Sequence, residues 1–351
     1  MSDLQIAQNL KGQVTNFIGV LNKRSQDVIS RRFGLKNGRK ETLESIGSGY
    51  KITRERVRQI EEVALRDLRR NFGRFNFNPY VQLTTEFLKE YGNALKEDKL
   101  FSLFSGNEKS SAENAALVLM MAVSNQFSRF IEDDDFNTFW SFKDPAYSEK
   151  VRNAVAQFVT FLKRSKEAVK EDNLLEVSTT RAIRDVSIND LKILISYLSL
   201  SKHIGKNIFG EWGLVAWPHI VPRGVKDKAY LVLRRENKPK HFNEIAQLIN
   251  TSSFDRKKAN AQTVHNELIK DDRFVLVGRG LYALAEWGYE PGTIKDLVTG
   301  FLKKKGPTPK DKIVAFVTSA RFVKPNTVLL SLQDSKLFRK DEKGRVFLKE
   351  I

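Results

Sequence analysis

Five side chains near the start of the chain have types and a spacing that suit the edges of base pairs. Arg54, Glu55, Arg58, Gln59 and Glu62 fall at i, i+1, i+4, i+5 and i+8. On a helix of about 3.6 residues per turn those positions share one face. Arginine can bridge the two acceptors of guanine, glutamine can pair with adenine in the same two-pronged way, and glutamate can accept from the amino group of cytosine. Lys51, Thr53 and Arg56 flank that face with groups that suit phosphate oxygens. Much farther along, Lys257, Lys258, Lys270, Arg273 and Arg279 are a second set of candidate phosphate contacts.

The element that must position the first set is a helix over residues 53–70. Val57, Ile60, Ala64, Leu65 and Leu68 recur at helical spacing and make an apolar stripe away from the polar face. Thr53 is a natural N-cap, because its hydroxyl can accept from a free N–H of the first turn. Before it, residues 42–46 read as a short helix. Gly47, Ser48, Gly49 and Tyr50 read as the turn, where glycine permits positive φ. Residues 25–33 read as an amphipathic helix stopped by Gly34. Together these elements spell a helix-turn-helix.

The strings RSQDVISRRFGL, TLESIG and ITRERVRQIEEVALRDLR, within residues 21–72, closely resemble region 4 of bacterial housekeeping sigma factors. The resemblance implies a helix that enters the major groove of the upstream (−35) promoter element. Arg54, Glu55, Arg58 and Gln59 would be its base readers. It also implies contact between the first helices, residues 21–35, and the flap of the RNA polymerase β subunit. Region 2 of those factors, with its promoter-melting aromatic residues, is not expected. The stretch ahead of residue 21 is too short for it and nothing downstream looks like it, so promoter melting is not implied.

Charge sorts the chain into three parts. Residues 1–75 carry a net +8, residues 76–220 a net −2, and residues 221–351 a net +12, within a total of +18. Two basic ends around a mildly acidic middle suggest two nucleic-acid contact surfaces. The 351 residues suffice for several domains with their own cores. Cys is absent, which excludes disulfides and thiolate metal sites. No apolar run is long enough for a membrane span, and the N-terminal stretch lacks the apolar core of a signal peptide. A bacterial cytoplasmic, nucleoid-associated location is expected.

Residues 1–20 carry a weak helical pattern, Leu4, Ile6, Leu10, Val14, Phe17 and Ile18, expected to pack beside the helix-turn-helix. A helical middle follows, with helices over residues 81–91, 112–130 and 147–166. Met120, Met121, Phe127 and Phe130 read as core. Glu132 to Asp135 read as a solvated acidic cluster, and residues 170–180 as a connection. A helix over residues 188–200 is expected to begin at Ser187. FGEWGLVAW, residues 209–217, reads as extended structure, and Pro218 and Pro222 mark a linker. Glu-Trp-Gly occurs twice, at 211–213 and 286–288.

Residues 226–289 have a clear order. Helices are expected over 227–235, 243–250 and 260–270, with a short edge strand at His241 and Phe242 between the first two. Two strands, RFVLVG and GLYALA, follow, joined at Arg279 and Gly280. The strings AYLVLRRENKPKHFNEIAQLIN and TVHNELIKDDRFVLVGRGLYALAEWGY are similar to the HARE-HTH family, a winged-helix module. Its members occur in the delta subunit of RNA polymerase, in restriction enzymes and in chromatin factors. The last sixty residues repeat this pattern: Thr263, Leu268, Phe274 and Leu284 align with Thr327, Leu332, Phe338 and Leu348.

The fold expected is mainly α: an N-terminal helix-turn-helix (1–75), a helical middle domain (76–222) and tandem C-terminal winged helices with small β-hairpins (223–290 and 291–351). Phosphate-binding loops, nucleophile elbows and paired metal-binding histidines are absent as motifs, and His203, His219, His241 and His265 lack ligand spacing. Trp212, Trp217 and Trp287 read as core rather than as base-stacking platforms. No enzyme activity, cofactor or metal is expected. The expected partners are double-stranded DNA and RNA polymerase, through its β flap, with no membrane. The function expected is that of a sequence-specific transcription factor. Its rivals are an RNA polymerase accessory, delta-like subunit and the DNA-reading subunit of a restriction or modification system.

Overall fold

The computed structural model describes residues 3–183, 188–255, 257–289, 292–321 and 323–349, with the backbone alone at residues 3–5. Leu4's side chain and Ser187 thus lie outside the described residues. Four helices open the chain: α1 (Asp3–Ile18), α2 (Lys23–Phe33), α3 (Leu43–Tyr50) and α4 (Arg54–Asn71). Each of the last three is capped as its sequence asks. Asn22, Thr42 and Thr53 accept from the backbone N–H groups of Ser25, Ser45 and Arg56. Gly34 ends α2 at φ 77°, in the left-handed region.

The turn of the helix-turn-helix is not where the glycines suggest. Gly47, Ser48, Gly49 and Tyr50 are the last turn of α3, and the chain reverses over Lys51, Ile52 and Thr53. Lys51, not a glycine, takes the left-handed conformation, at φ 54°. Gly47 serves close approach instead. A Cβ there would stand 2.7 Å from the carbonyl oxygen of Ile52, in the middle of the turn.

After a 3-10 turn at Phe72–Arg74 the chain passes four times through one succession: helix, short strand, helix, helix, two-stranded hairpin. The first pass is α5 (Asn78–Glu90), β1 (Ala94–Lys96), α6 (Glu97–Ser105), α7 (Ala112–Val123), β2 (Phe127–Phe130) and β3 (Phe139–Phe142). The second is α8 (Pro145–Ser165), β4 (Val169–Lys170), α9 (Glu171–Val177), α10 (Leu191–Leu200), β5 (Ile204–Lys206) and β6 (Glu211–Leu214). The third is α11 (Val225–Glu236), β7 (Lys240–His241), α12 (Phe242–Thr251), α13 (Ala261–Lys270), β8 (Phe274–Gly278) and β9 (Leu281–Leu284). The fourth is α14 (Ile294–Lys305), β10 (Thr308–Pro309), α15 (Lys310–Ala320), α16 (Pro325–Ser331), β11 (Phe338–Lys340) and β12 (Arg345–Leu348).

All four sheets have the same order, with the last strand in the centre between the first and the second. Register repeats as well. Leu95 faces Trp140, Val169 faces Trp212, Lys240 faces Tyr282 and Thr308 faces Val346. In the first two copies the central tryptophan is tied down alike. Trp140 Nε1 donates to Glu97 Oε2 and Trp212 Nε1 donates to Glu171 Oε2, each at 3.0 Å. Glu97 and Glu171 both open the second helix of their copy. In the last two copies Phe274 faces Leu284 and Phe338 faces Leu348, in line with the repeat seen in the sequence. The two Glu-Trp-Gly strings are not equivalent: Trp212 lies in the central strand β6, whereas Trp287 lies in a 3-10 turn after β9.

The chain is mainly α, and its middle is helix-rich as expected, but that middle also holds two of the small sheets. Residues 127–130 form a strand, since α7 ends at Val123. Phe127 and Phe130 stand three apart and so mimic a continuing helix. Residues 171–177 are the helix α9 rather than a connection. α10 starts at Leu191 and its cap is Asp190. In FGEWGLVAW only Glu211–Leu214 is strand. The edge strand of the third copy is Lys240–His241, with Phe242 already helical.

The chain forms two compact units, residues 1–205 with 211–215, and residues 206–210 with 216–351. In the first, one apolar core joins Leu10, Val14 and Phe17 of α1 and Ala64 and Leu68 of α4 to Phe77, Leu88, Phe104, Met120 and Trp140. It therefore runs across residue 75. α1 lies on this core, between the end of the helix-turn-helix and the first copy. In the second unit the third and fourth copies each have their own core, around Val232, Ile245, Val264 and Leu268 in one and Val298, Ile313, Val317 and Val346 in the other.

Candidate nucleic-acid interface

α4 is held by its apolar stripe. Val57 packs with Val28 of α2 and Ile46 of α3 in a small cluster of fully buried side chains, edged by Leu43, Tyr50, Ile52 and Ile60. Ala64 and Leu68 continue the stripe into the larger core. Burial of one side fixes which side faces out. Arg54, Glu55, Arg58, Gln59 and Glu62 are all exposed, on the face their spacing assigns.

Polar bonds brace the scaffold below. Arg31 of α2 holds Glu41 with both prongs, Nε to Oε1 at 2.9 Å and Nη2 to Oε2 at 2.6 Å. Arg32 donates to the Glu41 carbonyl at 2.7 Å and to Glu61 of α4 at 3.2 Å. The Tyr50 hydroxyl donates to Asp27 at 2.9 Å, and the Arg24 guanidinium lies 5.0 Å from the Tyr50 ring centre. The Arg31 hydrogen bond holds the Glu41 carboxyl below the usual range.

The exposed face is internally paired. Arg58 donates through Nε and Nη2 to the two oxygens of Glu55, at 2.9 and 2.8 Å, and through Nη1 to Glu62. Arg56 Nη1 donates to Gln59 Oε1 at 2.9 Å. The hydrogen bond from Arg58 holds the Glu55 carboxyl below its ordinary value, and that from Glu55 raises the Arg58 guanidinium. Both groups are therefore ionised throughout the neutral range. Glu55 and Glu62 thus fill the acceptor positions around the Arg58 guanidinium. The arginine can exchange one pair of oxygens for the O6 and N7 of a guanine, and the freed Glu55 can then accept from a cytosine amino group. The part played by Glu62 was visible in the sequence as its i+4 spacing from Arg58.

The candidate phosphate contacts are distributed as follows. Lys51 is exposed in the turn, and Arg56 is exposed on the first turn of α4. Thr53 Oγ1 accepts from Arg56 N at 3.2 Å, which leaves its hydroxyl hydrogen for an oxygen outside. Lys257 and Lys258 are exposed in the loop between α12 and α13, Lys270 ends α13, and Arg279 is exposed at the tip of the β8–β9 hairpin. Arg273 is not a phosphate ligand in waiting. It bridges Asp271 at 2.7 Å and Asp227 at 2.9 Å, inside the third copy, because both carboxylates are too buried to stay unpaired. In the β2–β3 loop Glu132, Asp133 and Asp135 pair with Lys202, Arg152 and His203. Of the tryptophans, Trp212 is core, whereas Trp217 and Trp287 are half-buried.

Residues 17–70 match the family model described as Sigma-70, region 4. The sigma factor SigA of a Bacillus species is 44% identical over 68 residues, which are 19% of this chain and 18% of that protein. SigA of Microcystis aeruginosa is 46% identical over 66 residues, 18% of this chain and 16% of that protein. The chain thus spans less than a fifth of the length of these curated relatives. No helix among the described residues is long and apolar enough to cross a membrane. The N-terminal part of the chain matches the sigma-70 region 4 family, and the match ends at residue 70, ahead of the first of the four repeated copies.

Proposed function

We propose that this protein binds duplex DNA in a sequence-specific way through α4 and acts in transcription at promoters, together with RNA polymerase. The carrying observation is the exposed face of Arg54, Glu55, Arg58 and Gln59 on a helix whose other side buries Val57, Ala64 and Leu68. Those four read base edges, while Lys51, Thr53 and Arg56 hold phosphates. The named relatives are RNA polymerase sigma factors, which supports the polymerase as partner. The β flap then meets α2 and the residues just before it. The four repeated copies are winged helices, the third of HARE-HTH type. The protein works in the bacterial cytoplasm, on the nucleoid, without a catalytic centre, cofactor or metal.

The test is retention of core RNA polymerase, and separately of the isolated β flap, by the immobilised full chain, with and without promoter DNA. Retention of both is expected. DNA binding without any retention of polymerase would turn the assignment toward the DNA-reading subunit of a restriction or modification system.

A further inference from the structure

Four copies of one fold allow each position to be compared across copies. The third helix is the informative one, and it can be counted from its N-cap: Ser111, Asp190, Asn260 and Lys324. In α13 the second, third, sixth, ninth and tenth residues after the cap are Gln262, Thr263, Asn266, Ile269 and Lys270. All five are exposed and form one stripe, while Val264 and Leu268 face the core.

The same stripe is closed in the first two copies. In α7 its last three positions are Leu117, Met120 and Met121, each fully buried in the core that includes α1, and its first, Glu113, pairs with Lys11 of α1 at 2.9 Å. In α10, Lys192 pairs with Glu90 of the first copy, Ser196 Oγ donates to the Ala94 carbonyl at 3.0 Å, and Leu200 is buried. The neighbouring Tyr197 hydroxyl donates to the Gly92 carbonyl at 2.6 Å. These two copies have turned their third helices inward as scaffold. In the fourth copy the stripe is open but altered. The second position keeps an amide, Asn326, but Leu330, 65% exposed, stands where Asn266 does, and Asp334, past the end of this shorter helix and paired with Lys295, stands where Lys270 does.

We infer that α13 is a second base-reading helix and that it reads A·T pairs in the major groove. Asn266 and Gln262 are the amides that match adenine N6 and N7. They stand one turn apart, and in the free protein Gln262 Nε2 donates to Asn266 Oδ1 at 3.2 Å, so each amide is oriented on the same edge. Ile269, 64% exposed, continues the stripe and offers the apolar contact that a thymine methyl takes. Lys257, Lys258 and Arg279 lie before the helix and at the hairpin tip, and Lys270 closes the stripe; these cations match the phosphates beside the groove. The surrounding chain, residues 221–351, carries a net +12, which fits a polyanion rather than a protein groove. This reading goes beyond the proposed function and does not depend on α4.

The test uses the full chain and duplexes selected from a random pool. The selected sites are expected to contain an A·T block that vanishes with Gln262→Ala/Asn266→Leu and persists with Arg58→Ala. Binding to such a site should fall at least about thirtyfold in the double variant. Replacing thymine by deoxyuridine in that block should weaken the wild type about fourfold, the value of one buried methyl, and leave Ile269→Ala unchanged. The substituted side chains are exposed, so folding should be unaffected, as a thermal melt checks. An A·T block that survives both substitutions, an absent block, or an equal deoxyuridine effect in wild type and Ile269→Ala would each overturn the inference. A protein partner for α13 would give the first or second of these results.

Discussion

Arg58 meets any duplex with its hydrogen bonds already made, to Glu55 on one side and Glu62 on the other. In the proposed function, reading a guanine is thus an exchange of acceptors rather than a gain of them, and its net yield is modest for a cognate site. The yield is negative for a wrong one, where the arginine would give up both carboxylates for a mismatched edge. This makes the pairing a source of discrimination. Below the reading face, Glu41 shows how pH enters. Its carboxyl lies lower in the folded protein than in the unfolded chain, because Arg31 holds it. A depressed carboxylate adds stability that is present above the unfolded value, about 4.3, and is lost as pH falls through the lower folded value. Glu41→Gln should therefore destabilise the N-terminal unit at pH 7, by at most about 1 kcal/mol for so exposed a pair, and lower its melting temperature accordingly, and the gap to wild type should close in the acid range. Thermal melts at pH 7 and pH 3 check this; a gap that widens toward acid would contradict it.

At the scale of elements, the helix-turn-helix depends on how closely α3 approaches its turn. Gly47→Ala should destabilise the first unit by about 1–3 kcal/mol, because the new Cβ meets the Ile52 carbonyl at 2.7 Å and backbone must shift. The selected DNA motif should stay the same, and equal melting temperatures for variant and wild type would refute the close-approach role. In the first copy, Glu97 accepts from both prongs of Arg129, at 2.6 and 2.7 Å, and from Trp140. Glu97→Ala leaves these donors unpaired and should cost about 1–3 kcal/mol in a urea titration. Sequence reading reached α2 and α4, the Thr53 cap, the Gly34 stop and the outward face, since long amphipathic periods and capping residues are strong local signals, but not Asn22, the cap of α2. It also reached the third copy, whose hairpin strands run over five and four residues, and through it the fourth, whose Thr327, Leu332, Phe338 and Leu348 repeat the third copy's spacing. The first two copies stayed hidden. Their strands are two to four residues long, too short for alternation to stand out, and α7 and α10 are apolar on nearly every side because neighbours cover them. The turn was misplaced for a related reason. Glycine is usually a mark of positive φ, but at Gly47 it marks a near neighbour.

Taken whole, the molecule has basic ends of net +8 and +12 that belong to different compact units. If both meet DNA, binding releases counterions from both, and log K against log[salt] should have a slope of about −5 or steeper. Neutralising Lys257, Lys258 and Arg279 together, each to Gln, should flatten that slope by about 2 to 3, since each lost phosphate contact removes about 0.9. An unchanged slope would show that the second unit's cations stay off the duplex. The repeated copies give this arrangement its economy: the first shares a core with the helix-turn-helix, the second packs its third helix against the first, and two leave their third helices open. The central claim is that α4 reads bases, and it is tested most directly by selecting binding sites from random duplexes with the full chain, with Arg58→Ala and with Lys51→Ala. Lys51 is exposed in the turn before α4, and its assigned contact is phosphate. The account predicts that Arg58→Ala weakens the preferred site about tenfold and relaxes preference at one position, while Lys51→Ala weakens all sequences alike and keeps the motif. Equal weakening by both variants with the same selected motif would contradict it.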